Sequence, residues 1–292
     1  MTSSAIGCHA LVWCGTFDEA GIRSAADRTR RAGFDLVEFP LMDPFAFDAS
    51  VARKAVADNG LQVSASLGLS DSTDISSEDE SVVAAGEALL RRAVEVVHEM
   101  GGTQLCGVLY SAMRKYVSPA TDAGRGHSRD VIARVAEHGA ALGVSLALEV
   151  VNRYESNVLN TGRQALEYLS GVGRDDVAVH LDTYHMNIEE TDMMQPVLDC
   201  ADRLGYVHIG ESHRGYLGTG TVDFDTVFKA LRRVRYTGPV VFESFSSAVV
   251  SPTLSTTLGI WRNLWQDGDD LGAHANAFIR GALRAVETMD LH

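Results

Sequence analysis

Cysteine is sparse in this chain: Cys8, Cys14, Cys106 and Cys200 are scattered through 292 residues with no CxxC pair. That spacing argues against a disulfide framework and against a thiolate zinc site, and it suits free thiols in a reducing compartment. Positive charge is also short. Lys and Arg number 25 against 39 Asp and Glu, a formal net charge of −14. Nucleic-acid binding draws on cationic contacts to phosphates, so no nucleic-acid partner is expected and a small neutral or cationic one fits better. No apolar run approaches the roughly 18 residues that would cross a bilayer. The opening MTSSAIGCHALVW lacks the basic start of a leader segment. The expectation is a protein without membrane association, located in the cytoplasm.

No linker or low-complexity stretch divides the chain, and 46% of its residues are hydrophobic, ample for a large core. Short β-rich runs alternate with longer amphipathic stretches from end to end. The runs are AIGCHALVW, DLVEFPL, LQVSASLG, TQLCGVLY, VSLALEVV, VAVHLDTY, YVHIGES and PVVFESF. Eight strand–helix units predict a (β/α)8 TIM barrel, with residues 1–292 forming one domain and extra helical sequence after the eighth strand. A doubly wound open sheet also alternates strand and helix, but the glycine-rich fingerprint after its first strand is missing. Gly33, Gly60, Gly102, Gly143 and Gly238 stand where helices should end before the next strand. The SSEDES run from Ser76 reads as a helix N-terminus. Trp261 and Trp265, four residues apart in GIWRNLWQ, are expected on one helical face, in core packing or a subunit contact.

Four residues stand near the ends of consecutive strands: Glu149, Asp182, His208 and Glu243. Strand period two puts Glu149 with Ser145 and Ala147, and Asp182 with Ala178 and His180, opposite faces rich in Val and Leu. Any one acid at a strand end is explained by capping the next helix. Four consecutive strands supplying ligand-type residues point instead to a metal site. Three carboxylates and one imidazole suit Mg²⁺, Mn²⁺ or Co²⁺. His180 lies within its strand and is expected to be a satisfied core histidine. His9, His98, His138, His274 and His292 are assigned structural or surface places.

The connections after strands five to seven carry further polar groups, and βα loops at the C-terminal face are where barrel enzymes bind substrate. Glu155, His185 and Arg214 are therefore candidate hydroxyl-binding residues. Each has a second reading: Glu155 as a solvated loop charge, His185 as support behind the ligands, Arg214 as a counter-ion for the carboxylates. The GYLGTG loop matches no phosphate-binding spacing.

LEVVNRYE, HLDTYHMNIEE, YVHIGESHRG and FESF, together with GFDLVEFPL and ASLGL, resemble in order and spacing the ketose 3-epimerases of the xylose-isomerase-like barrel superfamily. Among these, the D-allulose (D-psicose) 3-epimerases are the nearest match, with D-tagatose 3-epimerase in the same group. The resemblance implies C3 epimerisation of a free ketose through a cis-enediolate, D-fructose and D-allulose first, D-tagatose or L-ribulose also. It implies Glu149, Asp182, His208 and Glu243 as ligands of Mn²⁺, Mg²⁺ or Co²⁺, with Glu149 and Glu243 as the acid/base pair. It further implies Glu155, His185 and Arg214 as substrate contacts, and a homodimer or homotetramer. The first strand, HALVWCG, departs from the tyrosine-rich sequence of some members. Aldose–ketose isomerisation could use the same residues. A metal-dependent phosphodiesterase would call for more histidines and a basic rim, and a sugar-binding protein would have no need of paired glutamates.

Overall fold

The eight apolar runs become eight parallel strands hydrogen-bonded in chain order into a closed barrel: β1 (Ile6–His9), β2 (Leu36–Pro40), β3 (Gln62–Leu69), β4 (Gln104–Ala112), β5 (Ser145–Val150), β6 (Val177–Asp182), β7 (Leu204–Ile209) and β8 (Val240–Phe242). This is a computed structural model, and it describes residues 4–288. Helices α1 (Glu19–Arg31), α2 (Ala49–Asn59), α3 (Glu80–Met100), α4 (Asp122–Leu142), α5 (Gly162–Val172), α6 (Thr183–Glu189), α7 (Gln195–Asp199) and α8 (Phe224–Arg233) fall between strands; α9 (Pro252–Leu258) and α10 (Gly268–Glu287) follow β8. The last of these packs on α8 and β1, so the extra C-terminal helix covers the seam where the barrel closes.

Side-chain parity explains where polar groups collect. Outward residues such as Val37, Leu146, Leu148, Val179, Val207 and Phe242 belong to the large core beneath the helices. Inward, Leu36, Cys106, Ala147, Tyr206 and Val241 form a separate small plug. Two residues further along the same faces stand Glu38, Glu149, His208 and Glu243, a polar layer stacked on that plug toward the C-terminal rim. The register pairs Asp182 with His208 and Glu149 with His180, which brings neighbouring strands to that layer at one level.

Local signals were met in part. Asp79 caps α3 by accepting from the Ser81 N–H, as SSEDES predicted. Gly60 (φ 62°) and Gly143 (φ 72°) are left-handed caps. The cap of α3 is Gly101 rather than Gly102, whose place is tight because a Cβ there would stand 2.9 Å from the Val63 carbonyl oxygen. After α8 the left-handed residue is Arg235 (φ 55°), not Gly238. The first strand stops at His9, and Ala10–Val12 turn into a 3-10 helix capped by the His9 ring. The two tryptophans do not share a helical face: Gly259 ends α9 in a left-handed cap and the chain runs irregularly to α10. Trp265 is buried and donates to Ser244 Oγ (2.8 Å), whereas Trp261 is 73% exposed.

Candidate metal centre

All four sequence-predicted ligands converge at the rim. Glu149 lies in β5, Asp182 ends β6, His208 is next to last in β7, and Glu243 follows β8 directly. All are buried, and their ligand-type atoms lie within 4.8 Å of one another. His208 Nδ1 stands 3.5 Å from Glu243 Oε1, 3.8 Å from Glu149 Oε1 and 4.0 Å from Asp182 Oδ2. Capping and convergence coincide at Asp182: its Oδ1 accepts from the Tyr184 N–H at the start of α6 (2.6 Å), and its Oδ2 faces the cluster.

The loop residues arrive at the same place. His185 Nδ1 accepts from the backbone and side-chain N–H groups of Asn152 (3.1 and 2.8 Å), so its proton sits on Nε2. That nitrogen lies 3.6 Å from Glu149, 3.8 Å from Asp182 and 3.9 Å from Glu155. Arg214 Nη1 reaches Glu243 Oε2 (2.6 Å) and Asp182 Oδ2 (3.0 Å), with the guanidinium stacked on Tyr184 (3.9 Å to the ring centre). Burial opposes its charge, but Asp182 and Glu243 outweigh that and hold it firmly protonated. Beside the cluster opens a cavity of about 180 Å³, lined by Glu155, Tyr184, His213, Arg214, Phe245 and Trp261 among others.

Three residues have roles that sequence reasoning did not assign. Glu38 of β2 is fully buried, and its Oε2 accepts from His208 Nε2 (2.8 Å) and Tyr206 Oη (2.8 Å). Its partners lie 170 and 168 positions away in the chain, out of reach of local pattern. His9, assigned a structural or surface place, is buried 3.5 Å from Glu38. Glu211 is also buried; it accepts from the N–H groups of Ser212 (2.7 Å), Gly218 (2.9 Å) and Val222 (3.3 Å), and so ties down the loop that carries Arg214. Arg214 sits in that loop with φ 59°. The Glu211–Ser212 doublet, a carboxylate followed by a hydroxyl after the seventh strand, was the available signal.

His180 departs from expectation. It is buried, but among the described residues neither ring nitrogen has a hydrogen-bond partner, so it is not the satisfied core histidine expected. Its ring is held edge-on by Tyr206 (4.9 Å) and His208 (4.2 Å) instead. Burial, then the neighbouring His208, pushes its pKa well below the ordinary histidine range, and the neutral ring tolerates the site. His98, His138 and His274 are partly or largely exposed, as expected, and His292 lies outside the described residues.

The donor set fits a divalent cation. Among the described residues, His208 Nδ1 is buried and makes no hydrogen bond while Nε2 is engaged by Glu38, which leaves a nitrogen aimed at three carboxylates. Burial, then Glu243 and Asp182, lifts the Glu149 carboxyl well above the usual range despite His208, the behaviour of an acid short of nearby positive charge. Glu243 is burdened by burial too, but Arg214 and His208 hold it well below that range. Three oxygen donors and one nitrogen suit a hard or borderline ion. Among the described residues, no helix is long and apolar enough to cross a membrane.

Comparison with known proteins agrees with this geometry. Residues 26–268 match the xylose isomerase-like TIM barrel family. A ketose 3-epimerase of Arthrobacter globiformis is 66% identical over 98% of this chain and 99% of its own length. An L-ribulose 3-epimerase of Methylomonas sp. is 51% identical, covering 94% of this chain and 96% of that one. The crystal structure of a D-allulose 3-epimerase from Methylomonas sp. in complex with D-allulose superposes with TM-score 0.94 at 49% identity, over 97% of this chain and 98% of that chain.

Proposed function

The chain belongs to the xylose isomerase-like TIM barrel family and, within it, to the ketose 3-epimerases, and on that premise we propose that it epimerises free ketoses at C3 with Glu149 and Glu243 as a proton-transfer pair. The observation that carries the proposal is the convergence of these two acids with Asp182 and His208. Epimerisation at C3 removes a weakly acidic C–H beside the C2 carbonyl and returns a proton to the opposite face. Two acids on strands three positions apart in the barrel suit that task, because they approach a bound sugar from different sides. The reaction is reversible, so each glutamate accepts the proton in one direction and supplies it in the other, an effect worth about 10²–10⁴-fold in rate.

A Mn²⁺, Mg²⁺ or Co²⁺ ion held by Glu149, Asp182, His208 and Glu243 would polarise the carbonyl as a Lewis acid. Arg214, His185 and Glu155 are proposed to orient the sugar. The Nε2–H of His185 and the guanidinium of Arg214 offer donors to sugar oxygens, and Glu155 an acceptor. The rings of Tyr184 and Phe245 line the cavity beside Arg214.

D-Fructose and D-allulose are the pair proposed first, and D-tagatose and L-ribulose are further candidates. The L-ribulose 3-epimerase among the relatives gives the pentulose specific support. Free thiols at all four cysteines suit the cytoplasm. A homodimer or homotetramer completes the proposal: Met42, Phe45, Val117, Tyr154 and Trp261 are exposed on loops of the rim and give an assembly apolar surface to cover. The test is kcat/KM of the metal-loaded enzyme for these ketoses against their phosphorylated counterparts. A clear preference for a phosphorylated sugar would overturn the free-ketose assignment.

A further inference from the structure

Resting on the reading of Glu149, Asp182, His208 and Glu243 as a metal-binding set, we infer that Glu38 is the positioning residue that keeps His208 in its metal-binding form. Imidazole binds a metal through the nitrogen that lacks a proton, and the hydrogen bond made by the other nitrogen decides which that is. At His208 the two sides compete. Three carboxylates face Nδ1 and would draw the ring proton there, where it would block the lone pair the metal needs. Glu38 Oε2 faces Nε2, at 2.8 Å.

The surroundings of Glu38 make it an acceptor toward His208. Tyr206 Oη lies between Ser64 Oγ (2.7 Å) and Glu38 Oε2 (2.8 Å). An ionised carboxylate cannot donate, so Tyr206 donates to Glu38 and accepts from Ser64. On the other side, His9 Nδ1 accepts from the Leu11 N–H (3.3 Å), which leaves its proton on Nε2, pointing toward Ser66 Oγ (3.1 Å) and Glu38 Oε1 (3.5 Å). Tyr206 thus donates to Oε2, His9 stands 3.5 Å from Oε1, and the side chain is fully buried. The Nε2–H of His208 is the remaining donor aimed at Oε2. Its proton is anchored on that side, and the Nδ1 lone pair is free to meet a cation between the three acids. Glu38 lies outside the Glu149, Asp182, His208 and Glu243 set and acts on it through His208.

Glu38→Gln keeps the shape and removes the charge that anchors the proton. Co²⁺ affinity, followed by calorimetry and by the visible absorption of the bound ion, is expected to fall about 10–100-fold in a variant whose circular dichroism matches wild type. A Co²⁺ Kd within about twofold of wild type in the folded variant overturns the inference, with or without a lower melting temperature, because a purely structural role would move stability alone. A second measurement needs no variant. In Mg²⁺-loaded wild type with ¹⁵N-labelled histidine, the His208 signals are expected to report a proton on Nε2 and none on Nδ1, and the reverse pattern overturns the inference. Wild-type enzyme that binds neither Co²⁺ nor Mg²⁺ refutes the metal site itself, a failure distinguishable from that of Glu38.

Discussion

Replacing Glu243 by Gln tests its role in proton transfer, provided that metal binding, in which Glu243 also takes part, is kept saturated. Glu243 Oε2 lies 2.6 Å from Arg214 Nη1, and Arg214 keeps a second carboxylate, Asp182, at 3.0 Å. An amide of the same length preserves the contact to Arg214 through its oxygen and the shape of the side chain. Without one partner of the pair, net epimerisation should fall about 10²–10⁴-fold, equivalent to about 2.7–5.4 kcal/mol at 1.36 kcal/mol per tenfold. One of three carboxylates facing His208 Nδ1 is also lost, so the comparison is made at saturating Mn²⁺. Two readouts are followed in D₂O: product formation and deuterium wash-in at C3. Glu243→Gln and Glu149→Gln should each nearly abolish product, and either can retain exchange from the face still served by the other glutamate. A variant with both product formation and exchange near wild type would refute the pair.

Treatment with EDTA should abolish turnover, and Mn²⁺ or Co²⁺ should restore it; undiminished activity of metal-free enzyme removes the cation from the mechanism. Glu211→Ala strips the acceptor from three backbone N–H groups. Of these, only the Val222 N–H is buried, so at about 1–3 kcal/mol for that donor left unsatisfied it should lower the melting temperature and raise KM through the loosened Arg214 loop; unchanged values of both would show that the loop holds itself. Phe242→Ala, at a fully buried outward position of β8, should cost about 3–5 kcal/mol, read from the urea midpoint, and a loss under 1 kcal/mol would mean the barrel–helix packing is wrongly described.

What could be read from the sequence was what local pattern encodes. Strand parity sorted Ala147 and Glu149 from Leu146 and Leu148, and the barrel puts the first pair inside and the second outside. Ligand-type residues at four consecutive strand ends then implied their convergence. The groups that orient those ligands were hidden because closure of the barrel, not chain proximity, assembles them. Glu38 meets His208 only when β1 and β2 have closed against β7 and β8, and in sequence it is one acid in an ordinary strand. His9 looked like part of a longer strand, until the 3-10 turn at Ala10–Val12 swung the chain away and left the ring as a cap. The tryptophan spacing misled for a related reason. A four-residue interval signals a helical face only within a helix, and the left-handed Gly259 ends α9 before Trp261.

The central claim, proton exchange at C3 by two glutamates on one metal-binding rim, is tested most directly by the position of the label. Metal-loaded enzyme is incubated with D-fructose in D₂O and the products are resolved by NMR. The account predicts D-allulose with deuterium at C3 and none at C1. An aldose product with deuterium at C2, or a C3 epimer formed without any solvent deuterium, would contradict it.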